Sequence, residues 1–132
     1  VIAVDSSAFV AIVTAEEEAA NFARTLLMED AAISAATRLE LAIVVHGKLG
    51  ANGTRRLDEI LKEMDVQTMD FTEAQSVIAA DAWRRYGRGS GSPAKLNFGD
   101  CFSYALARSL DVPLLFKGDD FALTDITAAL VP

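Results

Sequence analysis

VIAVDSSAFVAIV, residues 1–13, is a β-branched apolar run ending at an acid, then two serines, then a second apolar run. Residues 1–4 have the continuous apolar pattern of a strand buried on both faces, as in a parallel sheet. Ser6 or Ser7 suits a helix N-cap, and residues 8–13 continue as a helix. Strand, polar turn and helix open an α/β unit. The alternation recurs downstream. Glu16, Glu17 and Glu18 open a helix to about Met28, since acids in a first turn suit the helix dipole. Residues 31–35 read as a second strand. Thr37 begins a helix over 38–49, stopped by Gly50 and Asn52-Gly53. Leu57, Ile60, Leu61 and Met64 give 54–64 helical spacing. Residues 66–69 are a third strand, and 72–86 a helix with Thr72 as cap and Gln75 in the capping-box position. Residues 98–110 are a helix and 113–116 the last strand. The expectation is an α/β fold, a three-layer α/β/α sandwich over a short central parallel sheet, as one domain across residues 1–132. Ligands bind such sheets beyond the carboxyl ends of the strands. Asp5 and the segment 117–120, each following a strand, are therefore expected to be neighbours.

The chain has 132 residues, 52% hydrophobic and 23% charged, which excludes a disordered chain. No apolar run nears the ~18–20 residues of a membrane span, so no membrane partner is expected. Cys101 is the only cysteine and His46 the only histidine. An internal disulfide and a zinc cluster are thereby excluded. No basic leader precedes an apolar stretch, and the expected setting is the cytoplasm.

The net charge of −7 argues against a general nucleic-acid binder. The distribution is uneven. Residues 82–99 hold no acid, while Arg84, Arg85, Arg88 and Lys95 contribute +4 and leave −11 on the remainder. This segment, with its GRGSGSPAK stretch at 87–95, reads either as a solvated loop or as a local hold on a polyanion.

Asp5, Glu40 in TRLELAIVV (37–45), Asp100 in LNFGDCFSYALA (96–107), and Asp119 with Asp120 in LLFKGDDF (114–121) each interrupt apolar surroundings. Acids seldom sit there unless paired or bound to metal. Each has a structural alternative. Asp5 suits an N-cap, Glu40 completes T-x-x-E with Thr37, Asp100 suits a first helical turn, and Asp119 and Asp120 suit a turn beside Gly118. One metal site would account for all of them. An all-oxygen donor set favours a hard ion, Mg²⁺ or Mn²⁺.

These residues also carry a resemblance. AVDSSAFVAI (3–12), TRLELAIV (37–44), LNFGDCFSYALA (96–107) and PLLFKGDDFALTDI (113–126) resemble the PIN-domain ribonucleases of the VapC toxin type, over nearly the whole chain. The resemblance implies Mg²⁺- or Mn²⁺-dependent cleavage of RNA, a cognate antitoxin that blocks the site, and a homodimer. Its acids match Asp5, Glu40 and Asp100; the fourth is Asp119 or Asp120, with Asp119, the nearer to the strand end, the expected one and Asp120 a possible support. Asp5 and Asp100 are the expected metal ligands, and Glu40 binds metal or orients water. Ser6 matches the small hydroxyl residue that follows the first aspartate. Arg84, Arg85, Arg88 and Lys95 then become candidates to contact the RNA backbone. The segment 8–13 and the helix after Glu16 are a candidate groove for the antitoxin. Other classes remain to be weighed: a receiver-like signalling module using Asp70 and Lys117, a haloacid-dehalogenase-like phosphatase, for which Ser7 stands where a second aspartate is needed, and a nuclease-like fold kept for binding only.

Overall fold

The computed structural model describes residues 1–130, and the last two residues of the expected domain lie outside the described residues. Among the described residues the order is β1 (Ile2–Val4), α1 (Ser6–Val13), α2 (Ala19–Met28), β2 (Ala31–Ser34), α3 (Ala35–Glu63), β3 (Gln67–Met69), α4 (Glu73–Tyr86), α5 (Phe98–Leu110), β4 (Leu114–Leu115) and a 3-10 turn at Phe121–Leu123. The strands form one sheet in the order β3-β2-β1-β4, and every pair is parallel. Ile2 lies opposite Ala31, Ala3 opposite Leu114 and Ala32 opposite Gln67.

Alternation along β1 builds the two inner faces of the sandwich. Ile2 and Val4 join Phe9, Phe22, Leu26, Leu41 and Ile60 on the side of α1, α2 and α3. Ala3 faces the other way, with Ala82 of α4 and Tyr104 and Leu106 of α5. The small side chains Ala3 and Ala32 let α5 lie close to the sheet. This is the expected three-layer α/β/α arrangement. No described helix is long and apolar enough to cross a membrane.

Local chemistry sets most element ends, with informative departures. Helix α1 begins at Ser6 because Asp5, rather than Ser6 or Ser7, is its N-cap. The three glutamates 16–18 precede α2 instead of forming its first turn. Helix α3 is capped by Ser34, whose hydroxyl accepts from the Ala36 N–H at 3.3 Å, so it starts before Thr37. The two helices expected on either side of Gly50 are one element with a kink, because Gly50 adopts φ 66° and ψ −153°. Only glycine takes that conformation without strain. Helix α4 has the Thr72 cap, which accepts from the Gln75 N–H at 3.1 Å, but the reciprocal half of the box is missing and Gln75 Oε1 is buried without a partner.

Candidate active site

Asp5 leaves β1 at its carboxyl end and is only 3% exposed. A carboxylate so buried needs donors, and it has them. Oδ2 accepts from the Ser7 N–H at 3.0 Å, and Oδ1 from the Ser103 hydroxyl at 2.6 Å. The end of β4 is drawn to the same place: Asp5 N–H donates to the Leu115 carbonyl at 2.9 Å, and Lys117 N–H donates to Ser7 Oγ at 2.9 Å. The carboxyl ends of β1 and β4 are therefore neighbours, as the strand rule requires.

Glu40 projects from the second turn of α3, half-buried, and its Oε1 accepts from the Ser6 hydroxyl at 3.0 Å. Burial raises its pKa, the Ser6 bond lowers it, and the Asp5 charge raises it again. The N-terminus of α5 comes right against this carboxylate at Gly99, where any Cβ would overlap the Glu40 oxygens. Glycine is required there by closeness of approach, not by its dihedral angles. The T-x-x-E box between Thr37 and Glu40 does not form. Glu40 is held by Ser6, and the fully buried Thr37 places its hydroxyl 3.4 Å from Ser103 Oγ.

Asp100 lies one residue beyond Gly99 and closes a capping box. Its N–H donates to Asn97 Oδ1 at 2.8 Å, and its Oδ2 accepts from the Asn97 N–H at 2.9 Å. Its pKa is pushed up to about 7, first by burial, against the lowering effect of the Asn97 bond, and then by the charges of Asp5, Asp120 and Glu40. Asp100 thus feels three carboxylates from three other parts of the chain. Asp5 and Asp100 are at once helix caps and members of this cluster, so the structural and chemical readings coexist.

The adjacent aspartates 119 and 120 part company. Both are exposed, and the charge of Asp120 adds to the raising of the Asp100 pKa. It borders a cleft of about 570 Å³ with Arg88, Gly89, Gly91, Ser92 and Lys95. Asp119 borders a different groove, with Glu18, Phe22 and Phe116. That groove lies between α2 and the segment after β4. Residues 8–13, expected to line a partner groove, include Ala8, Phe9 and Ala11 buried in the core.

The four basic residues also divide. Arg88 and Lys95 line the cleft beside Asp120. Arg84 and Arg85 stand on the last turn of α4 within 3.8 and 3.6 Å of Asp81. Arg85 also stacks on the Tyr86 ring at 4.8 Å and lies 3.9 Å from Asp125. The loop bends through Gly89 (φ 84°) and Gly91 (φ 88°), positions that favour glycine. Cys101 is buried, and burial followed by the Asp100 charge pushes its pKa up to about 11. Such a thiol is a poor nucleophile. His46 is exposed. The contacts made by Ser7 and Ser103 lie beyond a local reading of the sequence. Ser103 leaves one trace in the sequence: it is polar, one turn after Asp100, within the mostly apolar run 101–107.

Among the described residues no three His, Cys, Asp or Glu side chains stand together as an ion-holding group. Their oxygens are instead tied to Ser6, Ser7, Ser103 and Asn97. This donor set fits a hard ion held by one or two carboxylates with waters and substrate oxygens, the usual habit of Mg²⁺. It does not fit a closed protein cage.

The PIN domain family model matches residues 2–126. The chain belongs to the PIN domain family. Within that family it belongs with the VapC ribonucleases: it is 44% identical over 128 residues to Ribonuclease VapC28 of Mycobacterium tuberculosis, covering 96% of each chain. Two solved structures share the fold. Mycobacterium tuberculosis VapC20, described as a Sarcin-Ricin loop cleaving toxin, matches with TM-score 0.78 at 16% identity, over 96% of this chain and 97% of that one. A chain of a toxin-antitoxin complex from Klebsiella pneumoniae matches with TM-score 0.66 at 17% identity, over 92% and 91%. The family membership displaces the receiver and phosphatase readings. Asp70, the residue a receiver would phosphorylate, is exposed after the edge strand β3. PIN-domain ribonucleases of the VapC type generally depend on a divalent metal.

Proposed function

We propose that this chain is the toxin of a toxin–antitoxin pair, an endoribonuclease that hydrolyses RNA at the carboxylate cluster with Mg²⁺ or Mn²⁺. The observation that carries the reading is geometric: the buried Asp5 carboxylate, tied to Ser7 and Ser103, and Glu40, tied to Ser6 and pressed against Gly99 beside Asp100, are brought to the carboxyl end of β1, where burial first and then the neighbouring acids raise the Asp100 pKa. A protein gains no stability from like charges arranged in this way, and a cation relieves them. Asp5 and Asp100 hold the ion. Glu40, kept in place by Ser6, orients the attacking water, and Asp120, rather than Asp119, is the fourth acid. When bound, the ion supplies an acidified water and charge relief on the phosphate. Arg88 and Lys95 take the RNA backbone beside Asp120, which positions the strand without reading its sequence. Arg84 and Arg85 contribute less, because Asp81 and Asp125 already engage them.

An antitoxin partner and a homodimer complete the proposal. The antitoxin is supported by the VapC relatives, and the groove between α2 and the segment after β4 is its candidate seat. The exposed apolar residues Trp83 and Phe98, which border one groove with Phe71 and Phe102, favour self-association; molar mass by light scattering tests it. Protein freed of any partner should cut structured RNA with Mg²⁺ or Mn²⁺ and stop with chelator, and Asp5→Asn should lose activity while folded. Undiminished cutting in chelator, or by Asp5→Asn, overturns the metal assignment.

A further inference from the structure

We propose that Ser103 is a positioning residue, whose hydroxyl holds the Asp5 carboxylate fixed for a divalent cation while Thr37 holds Ser103. The proposal rests on the metal-binding reading of Asp5 above. Ser103 lies on the inward side of α5, 1% exposed, with Thr37 0% and Asp5 3% exposed. Its Oγ is 2.6 Å from Asp5 Oδ1 and 3.4 Å from Thr37 Oγ1. A serine hydroxyl has one proton, and the short contact to a charged acceptor claims it. The Ser103 oxygen is then left to accept from Thr37. Donation therefore runs from Thr37 on α3, through Ser103 on α5, to Asp5 at the end of β1.

Helix α5 itself gains nothing from a hydroxyl at position 103; the group that needs it is the buried Asp5 carboxylate. Serine is a weaker helix former than alanine, and a buried hydroxyl costs stability unless it is bonded. The bond it makes acts on Asp5. With the Ser7 N–H on Oδ2 at 3.0 Å, each oxygen of Asp5 has its own donor, and the carboxylate is held against rotation. An acceptor site on each oxygen stays free for an ion. Outer partners of this kind are worth ~10–100-fold in metal affinity or activity.

The test is Mn²⁺ titration of the intact protein without RNA, followed by electron paramagnetic resonance. Thermal unfolding in chelator and RNA cleavage are measured on the same samples. Ser103→Ala should stay folded and bind Mn²⁺ about tenfold more weakly, with a matching loss of turnover. Ser103→Thr should recover most of the affinity. Thr37→Val, which keeps shape, should lose about threefold alone and nothing further in the Ser103→Ala background, because it acts through Ser103. A purely structural serine would lower the melting temperature without moving Mn²⁺ affinity, and that result overturns the proposal. Should Ser103→Ala not fold, unchanged affinity in Thr37→Val overturns it equally. Asp5→Asn separates the two readings. Wild-type Mn²⁺ affinity there removes the metal role of Asp5, and that of Ser103 with it. Loss in Asp5→Asn alongside retention in Ser103→Ala removes Ser103 alone.

Discussion

The acidic cluster and the basic loop meet at Asp120, yet they are built in opposite ways. Asp5, Glu40 and Asp100 stand at or near the starts of α1, α3 and α5, each held by hydrogen bonds. Arg88 and Lys95 are exposed on a loop turned by Gly89 and Gly91, and among the described residues they make no ion pair. The carboxylates are preorganised at an electrostatic cost, and the basic groups are left free to adapt. Hydrolysis requires atoms held to fractions of an ångström, whereas a phosphate backbone tolerates many contact geometries.

Removing one acid breaks the comparison most severely. Asp100→Asn keeps the shape of the capping box while removing a charge, and RNA cleavage should fall about a thousandfold, or ~4 kcal/mol of transition-state stabilisation. Retained turnover in a quantitative cleavage assay would make Asp100 only a cap.

A smaller effect comes from pH. The unfolded Asp100 carboxyl titrates near 3.8 and the folded one at about 7, so between these values the folded state holds a proton the unfolded state has lost. The resulting stability is complete at low pH and lost as pH rises through about 7. Glu40 is shifted in the same direction. In chelator, the unfolding free energy should fall by on the order of 2 kcal/mol from pH 5 to pH 8. Added Mn²⁺ should stabilise more at pH 8 than at pH 5. Denaturant titrations at both pH values check both statements, and a flat profile would mean that neither burial nor neighbouring charge raises these carboxyls.

The two remaining tests sharpen the boundary between the regions. Arg88→Ala with Lys95→Ala should weaken RNA binding about tenfold at low salt and reduce the slope of log affinity against log salt by about 1.4. Arg85→Ala should barely change either. Asp120→Asn should lower cleavage about tenfold and Asp119→Asn less than about twofold, since weaker effects are expected of groups acting through water. The reverse order would return the fourth role to Asp119.

Much of this architecture was legible locally. The bounds of α5, residues 98–110, follow from its apolar spacing, and Thr72 marks the start of α4 by its own hydroxyl. The start of α3 is not legible in the same way, because Thr37 looks like a cap in sequence. In the fold its hydroxyl lies beside Ser103, 66 positions away, and Ser34 takes the capping role. The difference between Asp119 and Asp120 was equally illegible, because neighbours in a turn point to different grooves.

Periodicity, caps and turn residues act over a few positions, so the chain alone determined the strand–helix alternation, the sandwich and the set of acids worth suspecting. Which acids share a field, which bases stand beside them, and what hydroxyl grips Asp5 were decided by tertiary structure. Those relations join segments dozens of residues apart, and their energies depend on burial and distance, which exist only once the sheet has brought the segments together.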